Sequence, residues 1–358
     1  MQTTHRILYR DARTMDALPD ESIDLVVTSP PYPMIEMWDQ IFTEMEPTIG
    51  GALEEGRGQE AFQAMHRVLD EVWLELYRVM KPGAICCINI GDAVRTIKQR
   101  FQLFSNRSRI QSKFTEIGFT LLPVIIWRKQ TNAPNKFMGS GMLPAGAYVT
   151  LEHEYILLFR KGGKRTFPSP EQKRRRRESG YFWEERNRWF SDLWDFKGAG
   201  QELGGVNLRK RSAAYPFLLP FRLINMYSVA GDTVLDPFLG TATTTLAAAA
   251  CGRNSAGCEI DPAFGEHIKQ RLLQEGKEAG SYNRQRLSDH LKFVRRYTEE
   301  KGPLKYINRH YGFPVMTRQE RELKLPLVKS LEETGDGRFR AAYMQQQGRS
   351  CLLHEFSR

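Results

Sequence analysis

Cysteine is scarce in this 358-residue chain, and none of Cys86, Cys87, Cys251, Cys258 and Cys351 stands in CxxC spacing. Neither a zinc site nor a disulfide framework follows from such a set, so the thiols are read as core residues. Long apolar runs are missing too. No stretch approaches the roughly 18 consecutive apolar residues that span a bilayer, and the polar start MQTTHRILYR has no signal-peptide core. The expectation is a soluble, cytoplasmic protein with no membrane partner. No internal repeat is visible, and the pattern G-x-G-x-x-G of dinucleotide sites is absent. What is present is 41% hydrophobic residues, enough for one large α/β core and a smaller appended region.

The formal net charge of +10 suits a polyanionic partner, although solubility alone could account for it. Its location is more informative. Between Arg160 and Arg211 stand fifteen lysines and arginines against seven acids. The tract Arg174, Arg175, Arg176, Arg177, with Arg186 and Arg188, is either a solvated face or a phosphate-binding surface. The aromatics Tyr181, Phe182, Trp183, Trp189, Phe190 and Trp194 between the charges favour the second reading, because phosphates need cations and bases stack on rings.

Strand and helix patterns alternate along the rest of the chain. Strands are predicted at 7–9, 23–27, 84–90, 120–127, 155–159, 233–235 and 255–258. Helices are predicted at about 60–80, 107–117, 215–227 and 243–251, and a Gly/Pro-rich loop at 132–147. Such alternation argues for a doubly wound, mostly parallel α/β sheet. Residues 262–358 start helically and then turn polar and irregular.

Two constellations stand out. The first runs from Val234 to Asp261: a strand, a turn with Gly240, an alanine-rich helix, and a second strand ending in Glu259, nineteen positions after Gly240. An acid at that distance beyond a strand's carboxyl end can bind ribose hydroxyls, which fits a nucleoside ligand. In the plainer reading, Asp236 caps the following helix and Glu259 is surface charge. The second is Thr28-Ser29-Pro30-Pro31-Tyr32, placed where the prolines stop a strand. There the Ser29 hydroxyl and a freed carbonyl can both accept hydrogens from an amino group, and an aromatic ring two positions on can stack on a planar base. A surface polyproline ligand is the alternative.

Together, TSPPY, DPFLGTATT and GCEID resemble the amino-methyltransferases of DNA. Their order, catalytic motif first, is similar to the circularly permuted β class. LPDESIDLVVTSPPY, ELYRVMKPGA, HEYILLFRKG and YPFLLPFRLINMYSVAGDTVLDPF extend the likeness over roughly residues 5–275, apart from the insert at 161–211.

The resemblance implies S-adenosylmethionine as cofactor and double-stranded DNA as partner, with a cognate restriction endonuclease as a candidate counterpart. It implies that Ser29 and the Pro30 carbonyl, stiffened by Pro31, grip the target amine while Tyr32 stacks on a flipped base. It assigns Asp236, Phe238, Gly240 and Thr241 to the methionine part of the cofactor, Glu259 to its ribose and Asp11 to its adenine. It divides the chain into a catalytic part (1–160), a target-recognition insert (161–211), a cofactor part (212–275) and an extension without a role (276–358).

SPPY is more typical of enzymes acting on cytosine N4, DPPY of those acting on adenine N6. Cytosine C5 chemistry needs a nucleophilic cysteine, which in the enzymes of that class follows a proline, and no Pro-Cys occurs. A catalytically silent DNA-binding module is the remaining alternative. Two departures from the family pattern are Gly240-Thr241-Ala242, where G-S-G or G-S-N is common, and Ala214-Tyr215-Pro216, where His-Pro is common.

Overall fold

The computed structural model describes residues 1–129, 138–198 and 215–344; Cys351 and parts of the 132–147 loop and of the insert lie outside these. The strands are β1 (Gln2–Tyr9), β2 (Ile23–Thr28), β3 (Met80–Ile90), β4 (Ala93–Ile97), β5 (Arg100–Phe104), β6 (Phe119–Leu121), β7 (Ile125–Arg128), β8 (Met138–Gly139), β9 (Ala147–Tyr148), β10 (His153–Lys161), β11 (Leu193–Asp195), β12 (Thr233–Asp236), β13 (Asn254–Glu259), β14 (Tyr306–Ile307), β15 (Pro314–Val315), β16 (Val328–Gly335) and β17 (Arg338–Tyr343). The helices are α1 (Asp39–Met45), α2 (Thr48–Glu54), α3 (Gly58–Val79), α4 (Asn106–Ile117), α5 (Pro170–Glu178), α6 (Trp183–Trp189), α7 (Leu218–Tyr227), α8 (Thr243–Ala250), α9 (Gly265–Glu275) and α10 (Ser281–Lys301).

One sheet in the order β11-β7-β10-β3-β2-β12-β13-β1-β17-β16 organises the chain, with β6 attached to β10. Its centre, β3-β2-β12-β13-β1, is wholly parallel. The flanks are largely antiparallel: β10 on β3, and the β16–β17 hairpin on β1. Side chains alternate across the sheet. Val26 and Cys86 pack with Trp73 of α3 and Phe114 of α4, whereas Leu25, Val27 and Cys87 pack with Ile224 of α7 and Ala247 of α8. Cys86, Cys87, Cys251 and Cys258 are all buried free thiols. The predicted strand at 120–127 is two strands, because Pro123 interrupts the ladder.

The C-terminal stretch and the insert's aromatics differ from expectation. Residues 262–358 do not simply turn irregular after a helical start. Their described part holds the 21-residue helix α10 and the β16–β17 hairpin, whose Phe339 and Ala341 join the core against α8 and α9. The insert's rings are not held out for stacking on bases either. Its aromatics are mostly core: Phe182, Trp189 and Trp194 are buried, because rings of that size yield more by leaving water than by waiting for a base. Phe182 stacks on His290 of α10 at 4.0 Å between ring centroids. Arg286 of α10 donates to both oxygens of Glu185 at 2.6 and 2.8 Å, with both side chains almost fully buried.

The contacts also place the arginine tract. Ser179, just after α5, receives the Ala230 N–H, and Arg165 pairs with Asp232 and Asp24. These partners lie at the starts of β12 and β2, so the Arg174–Arg177 tract sits at the amino ends of the parallel strands. The insert then returns along the sheet. β11 runs parallel to β7, and the chain leaves it at the carboxyl end of the sheet.

Candidate active site

Two turns meet at that carboxyl end. β2 and β12 are adjacent and parallel, with Leu25 opposite Val234, so Thr28-Ser29-Pro30-Pro31-Tyr32 and Asp236-Pro237-Phe238-Leu239-Gly240 leave neighbouring strands side by side. Thr28 Oγ1 donates to Asp236 Oδ1 at 2.6 Å, joining residues 208 positions apart. Ligands in open α/β sheets bind at such crevices. Here a cavity of about 580 Å³ is walled by Asp11, Ser29, Pro30, Pro31, Asp236, Phe238, Gly240, Thr241 and Glu259. A nucleoside with an amino-acid tail fits a cavity of this size class.

The acids on the wall are not equivalent. Asp236 receives Thr28, the Thr244 hydroxyl at 2.6 Å, Tyr215 Oη at 3.1 Å and the Phe238 N–H at 3.1 Å. Burial raises its pKa and these donors, led by Thr244, oppose the rise. Its carboxylate is committed to the protein and shapes the turn. Glu259 is freer. Oε2 accepts the Gly240 N–H at 2.8 Å and Oε1 the Asp261 N–H at 3.0 Å, which leaves a lone-pair direction on each oxygen for a ligand hydroxyl. Burial pushes its pKa up to about 7. Asp11 accepts from the backbone N–H and Nε of Arg13.

The two departures have local explanations. Ala242 has φ +63°, a region that favours glycine and asparagine, which accounts for the G-S-G and G-S-N forms of related turns. Tyr215 replaces the usual histidine and hydrogen-bonds Asp236 directly. The Thr241 hydroxyl and carbonyl both accept from Arg271 of α9, at 2.6 and 2.7 Å, so a helix beyond the recognised motifs holds this turn.

Tyr32 is not on the cavity wall. Its hydroxyl points behind Ser29, donating to Glu154 Oε2 at 3.0 Å and accepting from Asn89 Nδ2 at 2.8 Å. Ser29 Oγ donates to the Asn89 carbonyl at 3.1 Å and to Tyr32 Oη at 3.2 Å. Asn89 Nδ2 also donates to Glu154 at 2.6 Å, and Lys129 pairs with the other Glu154 oxygen. Gly91 permits this packing, since a Cβ there would lie 3.2 Å from the Tyr32 ring. Burial, then the nearby Glu154 carboxylate, holds the Tyr32 pKa well above the ordinary tyrosine value.

Asn89, Lys129 and Glu154 escaped the sequence reading. Their one signal is the polar pair His153-Glu154 at the head of the apolar run YILLF. Trp38, Ile41 and Met45 also line the cavity, on a segment whose irregular entry hid it from periodicity. By contrast, Arg174–Arg177 lie at the amino ends of the parallel strands, the opposite end of the sheet from the pocket. Arg186 and Arg188 are exposed on α6, outside the cavity.

Comparison with known proteins agrees with this geometry. Residues 23–270 match the N6/N4 methyltransferase family model, described as DNA methylase. The chain is 50% identical over 347 residues to the type II methyltransferase M.MthZI of Methanothermobacter thermautotrophicus, covering 96% of each chain. It is 48% identical to M.MjaI of Methanocaldococcus jannaschii, over 78% of this chain and 94% of that one. A solved structure from Thermus thermophilus, assigned as a DNA modification methylase and complexed with S-adenosyl-L-methionine, shares 33% identity. It covers 76% of this chain and 96% of its own, with a TM-score of 0.59.

Proposed function

Because this chain belongs to the N6/N4 DNA methylase family, with S-adenosylmethionine as its cofactor, we propose that it methylates the exocyclic N4 of a cytosine turned out of duplex DNA. The carrying observation is Ser29. Its hydroxyl lies on the cavity wall with its proton directed at Asn89 O and Tyr32 Oη, which leaves oxygen lone pairs to accept from an amine. A serine rather than an aspartate heading Pro-Pro-Tyr favours cytosine.

S-adenosylmethionine supplies the methyl group when bound. Ser29 Oγ and the Pro30 carbonyl accept the two amino hydrogens, drawing the nitrogen toward tetrahedral geometry, and Pro31 stiffens the turn. The Tyr32 ring, off the cofactor cavity's wall but only partly buried, packs against the extruded base while its hydroxyl stays anchored on Glu154. Glu259 takes the ribose hydroxyls and Asp11 lies by the adenine. Asp236 and Arg271 hold the turn in which Phe238, Gly240 and Thr241 meet the methionine part. The DNA lies over the carboxyl end of the sheet, where the β4–β5 hairpin, with exposed Lys98 and Arg100, projects. Arg174–Arg177 face the other end and reach only DNA that extends past this footprint. The type II description of the archaeal relatives supports a restriction-modification setting with an endonuclease acting on the same site.

DNA from cells expressing the protein, digested to nucleosides and analysed by mass spectrometry, is expected to contain N4-methylcytosine. Detection of N6-methyladenine instead would replace cytosine by adenine as the target.

Glu259 gives a pH prediction. An ionised carboxylate accepts ribose hydroxyls more strongly than the neutral acid, and with its pKa at about 7 the carboxylate is lost as pH falls through neutrality. Cofactor affinity is therefore expected to be full near pH 8 and to drop about tenfold by pH 6, one pH unit below that pKa. Calorimetric titration across this range checks it, and Glu259→Gln should bind weakly with no such pH dependence.

A further inference from the structure

We propose that Ser29, Tyr32 and Glu154 form a proton path that takes the surplus amino proton from the reacting nitrogen, with Glu154 as acceptor. The path rests on the assignment of Ser29 as the residue that receives the amine, and it holds for either amino target.

Methyl transfer creates the need for such a path. As the nitrogen–carbon bond forms and the cofactor's carbon–sulfur bond breaks, the nitrogen gains a positive charge and retains one hydrogen too many. Three oxygens lead away from it. Ser29 Oγ lies 3.2 Å from Tyr32 Oη, and Tyr32 Oη lies 3.0 Å from Glu154 Oε2. Tyr32 donates toward Glu154, and the single Ser29 hydrogen, shared between Asn89 O at 3.1 Å and Tyr32 Oη at 3.2 Å, turns to Tyr32 when the path is used.

When the amino proton passes to Ser29 Oγ, the serine proton passes to Tyr32 Oη and the tyrosine proton to Glu154. One N–H and two O–H bonds break, and three O–H bonds form. Both hydroxyls are regenerated, the nitrogen becomes neutral, and the carboxylate becomes a carboxylic acid. Tyr32 acts as a conductor and not as a base, since its own ionisation is opposed by burial and by Glu154.

The surroundings suit this task. Asn89 Nδ2 donates to Tyr32 Oη at 2.8 Å and to Glu154 Oε2 at 2.6 Å, fixing the second step of the path. Lys129 pairs with the other Glu154 oxygen, and its side chain is 40% exposed against 13% for Glu154. The acceptor thus lies inside while its ion-pair partner reaches water, which gives the proton an exit after turnover. Tyr32 and Glu154 are 122 positions apart and meet because the head of β10 lies beside the end of β3.

Single-turnover transfer of a labelled methyl group to duplex DNA, with cofactor and DNA saturating, tests the path. Glu154→Gln and Tyr32→Phe each keep the shape of their site and remove one step. Each is expected to slow transfer on the order of 10²-fold, within the usual range for general acid–base groups. Because they interrupt one chain, the double variant should be no slower than the slower single variant. The wild-type rate should curve with deuterium fraction in the solvent, the mark of several moving protons, and Tyr32→Phe should straighten the curve.

Calorimetric cofactor affinity, and base extrusion read from 2-aminopurine beside the target, should stay at wild-type values in both variants. A wild-type rate in either single variant overturns the path, as do losses that multiply in the double variant. Ser29→Ala separates the two levels. If it is slow while Glu154→Gln is not, the path alone fails; if Ser29→Ala is fast, the amine assignment fails with it.

Discussion

Ser29→Ala is expected to slow methyl transfer by about 10² to 10³-fold while cofactor affinity and folding stay unchanged, the usual cost of removing one aimed acceptor or donor at a reacting centre. An exocyclic amine is a poor nucleophile because its lone pair is delocalised into the ring, so the acceptors must act on the nitrogen itself. Ser29 is the one residue of the turn that both lines the cavity and has a side-chain oxygen. Its hydrogen is engaged by Asn89 O and Tyr32 Oη, which directs the lone pairs rather than the proton at the ligand. The side chain is small and its removal leaves Thr28, Asp236 and the prolines in place, so the loss should fall on kcat and not on cofactor Kd. Single-turnover kinetics on duplex DNA give the first quantity and calorimetry the second. Transfer at the wild-type rate would remove Ser29 from the reaction.

Arg286→Met is expected to destabilise the protein by about 3 to 5 kcal/mol, because it leaves Glu185 as a buried carboxylate without its cation. Arg286 and Glu185 share two hydrogen bonds, at 2.6 and 2.8 Å, and both are nearly inaccessible. The guanidinium also lies 5.2 Å from the Trp189 ring centroid and donates to Asn283 at 3.1 Å. Glu185 in turn accepts the Phe182 N–H at 2.9 Å, so losing the pair should loosen the start of α6. The paired substitution Glu185→Leu with Arg286→Met should recover much of the loss, since replacing both buried charges removes the unpaired one. Urea denaturation of the three proteins measures the differences. An unchanged midpoint for Arg286→Met would mean that α10 does not brace the insert.

Much of the site was legible because its chemistry is local. Prolines after an apolar run mark the end of a strand, and a glycine turn, an alanine-rich helix and a following acid mark a ligand crevice. Both readings depend on residues within one element of each other. The structure puts Ser29, Pro30, Pro31, Asp11, Asp236, Phe238, Gly240, Thr241 and Glu259 on one wall. The illegible part is long-range. Glu154 meets Tyr32 across 122 positions, and a single strand's pattern does not reveal what its first residue will face. The burial of the insert's rings was illegible for a related reason. Alternating charges and rings describe a nucleic-acid surface and an amphipathic packing segment equally well, and only the neighbours distinguish them.

The sequence by itself therefore determined the elements, the order of the two turns and the kinds of group each could present, because backbone sterics and turn chemistry act over a few residues. The tertiary structure decided three further matters: that Arg174–Arg177 lie at the far end of the sheet from the pocket, that residues 276–344 complete the sheet and grip the insert, and that the Glu154 carboxylate stands behind Tyr32. Each is settled by burial and by the pairing of buried charges and polar groups. Those energies depend on which surfaces meet, and the meeting exists only once the sheet has formed.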